Sequence, residues 1–358
     1  MSVGAGIALV VVAAGVLAGW LGGAAMARSG RARTDVPDAR RLHTEPTARG
    51  GGIGIIIAGM FALPFGQWLG GDHEAALIGV VVLAWATPNA FVGLADDYVP
   101  LSARLKLGLQ LAAAVIAVSF GLRLDCLNLA PLPPLALGVF AWPVSVVALV
   151  WLANLFNFMD GSDGLAAGCG AVMFTGMAAL GLLAGSSGAA TIALGLAAGC
   201  AGFFVVNRPP ARIFMGDGGS LFAGACLGGC AVLLAHHDGG AVPVSAVIIA
   251  TAPFWFDTTY TLLVRVWRRE QVFEAHRQHL YQRLAAVGWT AWQVLGLYTA
   301  MTAGCVGLAL LLPRVGGLGQ GGIWAGVASG VAGLVLLVAN AEHKRDANHA
   351  GGKKPDNH

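Results

Sequence analysis

Charge is what this sequence has least of. Asp, Glu, Lys and Arg make up 11% of 358 residues, against about 25% in soluble globular domains. Hydrophobic residues make up 57%. So few charges cannot cover a water-soluble fold with so much apolar side chain, and the soluble classes are excluded. A mean hydropathy of +0.73 excludes disorder and coiled coil as well. Cysteine is also scarce. There are six, none in CxxC spacing, which excludes a secreted disulfide scaffold. Cys226 and Cys230 stand one helical turn apart within an apolar run and read as small core residues.

What the sequence has in quantity is long apolar runs. A spanning helix needs roughly 20 mostly apolar residues, and eleven segments qualify: 3–26, 51–69, 75–95, 105–121, 135–153, 165–184, 188–206, 219–235, 242–264, 292–312 and 322–340. The expected fold class is all-α, a polytopic integral membrane protein of about 11 transmembrane helices. Residues 1–340 read as one membrane-embedded domain, and the polar segment 341–358 as a disordered tail. The first run is too long for a secretory signal, and its arginines follow it.

Lys and Arg orient the chain. The loops fall into two alternating sets. One set carries nineteen of the 21 basic residues, and the other carries only Arg123 and Arg314. The basic set is expected to be cytoplasmic, which puts the N-terminus outside and the C-terminus inside. Several of these residues lie where anionic headgroups would meet them.

Carboxylates are costly near a bilayer and mark function by default. Three clusters stand between apolar runs on the face expected to be cytoplasmic. In the first, Asp96 and Asp97 end the third run, at the unfavourable end of a helix dipole. A metal, Arg104 or Lys106 is expected to compensate them. In the second, NLFNFMDGSDGLA, Asn154, Asn157 and Asp160 are spaced by three and line one helical face. Asp163 falls in the glycine turn that follows and reads as a helix cap or a ligand. In the third, FMGDGGS, Asp217 stands among glycines just before the eighth run. A fourth cluster, HRQHLYQRL, places His276, Arg277 and His279 in the longest basic loop, where Arg and protonated His suit phosphate. If this loop is helical, His276 and His279 share a face, with Arg283 close by. Oxygen-only ligands beside basic residues favour Mg²⁺, or Mn²⁺, and phosphoryl chemistry on a lipid.

Five motifs in order resemble the polyprenyl-phosphate N-acetylhexosamine-1-phosphate transferases: DVPDARRLHTEPTARGGG (35–52), the DD pair, NxxNxxDGxDGLA, FMGDGGS and the His-containing loop. The last reads HRQHLYQR, without three consecutive histidines, and so resembles the O-antigen-initiating branch more than the muramyl-pentapeptide branch. Val99 and Pro100 stand where that family often has a basic residue, which leaves the task to Arg104 or Lys106.

The resemblance implies a Mg²⁺-dependent enzyme that moves a sugar-1-phosphate from a UDP-N-acetylhexosamine to undecaprenyl phosphate and releases UMP. The product would start a lipid-linked glycan such as O-antigen. By the same resemblance Asp217 is the main metal ligand and Asn157 the second. Asp96, Asp97 and Lys106 stand at the catalytic centre, and Asn154, Asp160, Asp163 and Phe214 hold the nucleotide. Arg104, His276, Arg277 and His279 hold phosphate. The location implied is the cytoplasmic face of a bacterial inner membrane. The partners are then the two substrates and membrane lipid, with no nucleic acid, and a homodimer is compatible with the sequence. Two rival classes fit less well. A secondary transporter of an anionic solute would put its site near the bilayer midplane and show paired repeats, neither of which is visible here. A CDP-alcohol phosphotransferase would continue differently after DGSDG.

Overall fold

The computed structural model describes residues 3–29, 34–35, 47–70, 73–236, 242–271, 274 and 276–351. Every apolar run is helical. The first eight give α1 Val3–Arg28, α2 Ile53–Gly70, α3 His73–Tyr98, α4 Ala103–Ser119, α5 Ala141–Phe158, α6 Leu165–Leu183, α7 Ser187–Asn207 and α8 Gly216–His236. The ninth divides into α9 Val244–Ala250 and α10 Ala252–Trp267. A short α11, Leu280–Ala286, precedes α12 Ala291–Leu311 and α13 Gly317–Gly351. The protein is an all-α polytopic membrane protein. Among the described residues, eight helices are long and apolar enough to cross a bilayer, or nine if α9 and α10 form one span. The other two of the eleven runs are helical as well, α4 with 17 residues and α2 with 18.

Two expectations are corrected. The ninth run is not one straight helix, since α9 and α10 meet at 79°. Pro253 lies in the first turn of α10. It supplies no N–H, and its ring crowds the carbonyl four residues back, which ends the preceding helix. The tail is not disordered from residue 341, because α13 runs on to Gly351. There AEHKRDANHA is rich in good helix formers, and Arg283 grips Glu342 through two hydrogen bonds of 2.8 and 2.7 Å. Residues 352–358 lie outside the described residues.

α8 is the most enclosed span, with α3, α5 and α7 packed around it. Small residues make this possible. A Cβ at Gly93 of α3 would strike the Asp217 backbone of α8, so the two backbones touch there. The Trp85 indole, fully buried, donates to the Ala225 carbonyl at 3.0 Å and fixes the same pair deeper in. All six cysteines are free thiols, and five are buried. Large apolar side chains such as Phe61, Phe91, Val147, Leu182 and Leu336 face outward, as a lipid-facing perimeter requires.

Short strands knit one end of the bundle. β1 Thr34–Asp35 pairs antiparallel with β2 Thr47–Arg49, and β2 pairs parallel with β5 Ile213–Phe214. The register sets Arg49 opposite Phe214. A second pair, β3 Cys126–Leu127 with β4 Leu135–Ala136, lies in the α4–α5 connection.

Candidate active site

The end of α3 and the start of α8 build the centre together. Asp97 reaches across and accepts the Asp217 N–H at 2.9 Å and the Gly218 N–H at 3.1 Å. Asp160 accepts the Gly216 N–H. Two carboxylates from α3 and from the turn after α5 thus satisfy the free amides of α8, where a helix dipole favours negative charge. Gly216 has φ +80, and a Cβ there would lie 2.6 Å from Asp97 Oδ2, so glycine is required on both counts. Asp217 itself stands in the first turn of α8 rather than at its cap.

Cations complete the cluster. Lys106 Nζ donates to Asp96 Oδ2 at 2.8 Å and to Asp217 Oδ2 at 3.3 Å. Arg49 Nη2 donates to Asp217 Oδ1 at 2.6 Å, and Arg49 Nε lies 3.2 Å from Asp97 Oδ1. Asp96 Oδ1 also accepts the Leu101 N–H at 2.7 Å. The positive charge expected beside the DD pair is therefore Lys106 for Asp96 and Arg49 for Asp97. Arg104 points to solvent and joins no ion pair among the described residues.

Arg49 is the functional candidate that sequence reasoning missed. It sits in TARGGG, among basic residues that membrane orientation already explains. Its position just before a glycine run, inside a recognised motif, was the available signal. Burial works against its charge, but Asp217 and Asp97 outweigh that and hold the guanidinium above its usual range. Most of its motif, residues 36–46, lies outside the described residues.

The second cluster divides its labour. Asn157 Oδ1 accepts the Ser220 hydroxyl at 2.8 Å, which brings Asn157 beside the first turn of α8. Asn154 instead donates to Gln110 Oε1 and to the Val150 carbonyl, both at 2.8 Å, and ties α5 to α4. Asp163 is not the cap of α6. Gly164, with φ +72, holds that place, and Asp163 Oδ2 accepts the Ala211 N–H at 2.9 Å, docking the glycine turn on the loop before β5. Phe214 flanks Arg49 through the β2–β5 register, and its carbonyl accepts the Gly51 N–H at 2.9 Å.

The fourth cluster is not helical where the histidines lie. His276 and His279 precede α11, and His279 is its N-cap. Their rings are nonetheless 5.1 Å apart, with Arg277 half-buried between them in sequence. Arg283 turns away, to Glu342. The segment packs on the end of α5. The His279 and Phe158 rings stack at 6.2 Å, and the Tyr281 hydroxyl donates to the Phe158 carbonyl at 3.2 Å. A Cβ at Gly161 would strike that same hydroxyl.

A divalent cation fits this chemistry. Every donor around Asp217 is an oxygen: Asp96, Asp97, Asp160 and the Asn157 amide. Four carboxylates share two ion-paired cations, Arg49 and Lys106. Desolvation pushes the Asp160 carboxyl well above the usual carboxylate range, with Arg49 opposing it and Asp217 and Asp97 adding to it. Among the described residues no three His, Cys, Asp or Glu side chains form a ligand cage. A hard cation here would take one or two carboxylates and complete its shell from a ligand's phosphates, as Mg²⁺ commonly does.

Comparison with known proteins places the chain in a family. Residues 53–235, which run from α2 through α8, match glycosyl transferase family 4. A probable undecaprenyl-phosphate N-acetylglucosaminyl 1-phosphate transferase of Bacillus subtilis is 31% identical over 258 residues, 71% of this chain and 70% of that one. Phospho-N-acetylmuramoyl-pentapeptide-transferases of a Picosynechococcus and a Synechococcus species are 31% and 32% identical over 274 residues. They cover 72% of this chain and 73% and 76% of their own. With the matched stretch carrying Asp96, Asp97, Lys106, Asp160 and Asp217 in that order, the chain belongs to glycosyl transferase family 4.

Proposed function

We propose that the protein transfers an N-acetylhexosamine-1-phosphate from a UDP-sugar to undecaprenyl phosphate, releases UMP and so starts a lipid-linked cell-envelope glycan such as O-antigen. One observation carries the reading: Asp96, Asp97 and Asp217 converge with Arg49 and Lys106 at the ends of apolar helices. This arrangement suits a diphosphate and a lipid phosphate meeting at a membrane surface. The location is the bacterial cytoplasmic membrane, with the site on the cytoplasmic face and residues 1–340 forming a single transferase domain.

An oxygen of the lipid phosphate attacks the β-phosphorus, the bond from that phosphorus to the bridging oxygen breaks, and UMP departs. One phosphoanhydride replaces another, so catalysis is chiefly positioning and charge neutralisation. A lipid phosphate is largely ionised near neutral pH, so Asp96 and Asp97 are not required as strong bases. Asp97 holds the first turn of α8 in place, and Asp96 orients Lys106. Lys106 and Arg49 exchange their carboxylate partners for phosphate oxygens when substrate binds. Asp160, Asp163 and Phe214 bound the nucleotide, while His276, Arg277 and His279 cover the diphosphate. Asp217, with Asn157 beside it, would hold Mg²⁺, which when bound supplies charge neutralisation on the diphosphate.

The test is incubation of the purified protein with undecaprenyl phosphate, Mg²⁺ and a panel of UDP-N-acetylhexosamines, with UMP release as the readout. Release dependent on both substrates supports the reading. Absence of release across the panel, from protein that elutes as a folded species, overturns it. The transporter alternative predicts solute flux into proteoliposomes and no UMP.

A further inference from the structure

Asp257 stands on α10, just beyond the bend, and is fully buried at 0% exposure. It is the one acidic residue in the ninth apolar run. A carboxylate there is expensive unless it is surrounded by donors. Its Oδ1 accepts the Leu280 N–H at 2.9 Å and meets His279 Nδ1 at 3.2 Å and Thr261 Oγ1 at 3.3 Å. Its Oδ2 accepts the Tyr281 N–H at 3.2 Å and the Tyr298 hydroxyl at 2.5 Å. One side chain thus joins α10, α11 and α12.

The two amides dock α11 on α10 and the Tyr298 hydroxyl ties in α12, and the imidazole contact is a further bond on the same carboxylate. An ionised carboxylate only accepts hydrogen bonds, so its partner nitrogen must carry a proton. Nδ1 is then committed, and Nε2 is the ring nitrogen left for a ligand. The ring plane is fixed as well. It stacks on Tyr281 at 5.7 Å and 19°, and on Phe158 at 6.2 Å and 30°. Phe158 ends α5 two residues before Asp160, so this slot adjoins the turn assigned above to the sugar nucleotide.

We infer that Asp257 is a positioning residue for the transfer: it fixes the Nδ1 proton and the ring plane of His279 so that Nε2 meets the diphosphate of the sugar nucleotide. The inference rests on the sugar-1-phosphate transfer proposed above. It assigns a role to a carboxylate that itself touches no substrate, and the effect must pass through His279.

A double-mutant cycle tests it, on the full-length protein in neutral detergent with UDP-N-acetylglucosamine, or whichever UDP-sugar of the panel wild type consumes. His279→Ala and Asp257→Asn are each expected to lower kcat/KM by roughly ten- to a hundred-fold, the usual range for a lost charge-assisted contact. The double variant is expected to lie within about threefold of the worse single variant, because the second change removes nothing that remains. Losses that multiply overturn the inference, since a merely structural Asp257 would act independently of the ring. An Asp257→Asn variant of near wild-type activity also overturns it. If Asp257→Asn does not survive extraction, Tyr298→Phe removes one donor from the same carboxylate and keeps its charge. It should cost a few-fold in the wild-type background and nothing beside His279→Ala, and an equal loss in both overturns the inference. A wild-type protein inert toward the panel overturns the transfer reading and this inference together. An active wild type with multiplying losses overturns the inference alone.

Discussion

Arg49 donates to Asp217 at 2.6 Å although 168 residues separate them. The contact joins the loop after α1 to the first turn of α8, and the β2–β5 register brings the two strands side by side. The same guanidinium spans Asp217 and Asp97, which a lysine ammonium matches poorly.

Arg49→Ala should therefore lower kcat by about 100-fold or more, the scale of losing one preorganised electrostatic donor. Arg49→Lys should recover most of the thermal stability, because a charge still balances the carboxylates, but less than a tenth of the rate. UMP release and thermal unfolding in detergent measure the two effects separately. An Arg49→Ala enzyme within threefold of wild type would remove Arg49 from the site.

Metal dependence turns on Asp217. Asp217→Asn is nearly isosteric but a far poorer ligand, so kcat should fall by about 100-fold or more while elution and melting stay near wild type. Chelation with EDTA should abolish wild-type turnover, and Mg²⁺ or Mn²⁺ should restore it. Near wild-type activity of Asp217→Asn at saturating Mg²⁺ would count against the assignment.

Gly93→Ala tests the contact between α3 and α8. The new methyl meets the Asp217 backbone, which cannot give way without moving the site. Overpacking of this kind costs typically about 1–3 kcal/mol, and here melting temperature and kcat should fall together. Gly296→Ala on α12 is the control, since nothing lies within 4 Å of its Cβ. It should be neutral, or stabilising by up to about 1 kcal/mol from helix propensity. Unchanged kcat in Gly93→Ala would show that the close approach does not govern the site.

Orientation is open to direct measurement. In a background lacking native cysteines, Thr34→Cys and Gln271→Cys should be shielded from a membrane-impermeant thiol reagent in intact cells, and Gly239→Cys should be labelled. The reverse pattern would place the carboxylate cluster on the outer face.

Much of this is legible in sequence, for identifiable physical reasons. Spans show because a run of twenty apolar residues suits little besides a bilayer. Asp97, Lys106, Asp160 and Asp217 show because charge among apolar residues must be compensated by a partner or a ligand. Arg49 does not show, since a basic loop of a membrane protein already has a reason to hold arginine. Asp257 obeys the rule that finds the others, but one carboxylate inside a long apolar run lacks the clustering that draws attention elsewhere. The bend at Thr251 is invisible to hydropathy, which sums composition and ignores direction. The β2–β5 pairing rests on two or three residues per strand, too few for a period-2 pattern to emerge. The helical end of α13 resembles a tail because its polarity masks its propensity, and because Glu342 finds Arg283 only in three dimensions.

The bond from Asp97 to the amides of α8 also has a history in time. Its two ends lie 120 residues apart in the chain. A ribosome adding about 5–20 residues per second takes roughly 6–24 seconds to cover that interval. Throughout it, α3 exists while the helix its carboxylate caps does not. Asp97 must wait near headgroup water or on Arg49, which is made earlier. Arrival of α8 then completes the cap and brings Asp217 to Asp97, Arg49 and Lys106 in one event. A chain truncated before α8 would leave Asp97 without the two amides it accepts from, with Arg49 as a remaining partner.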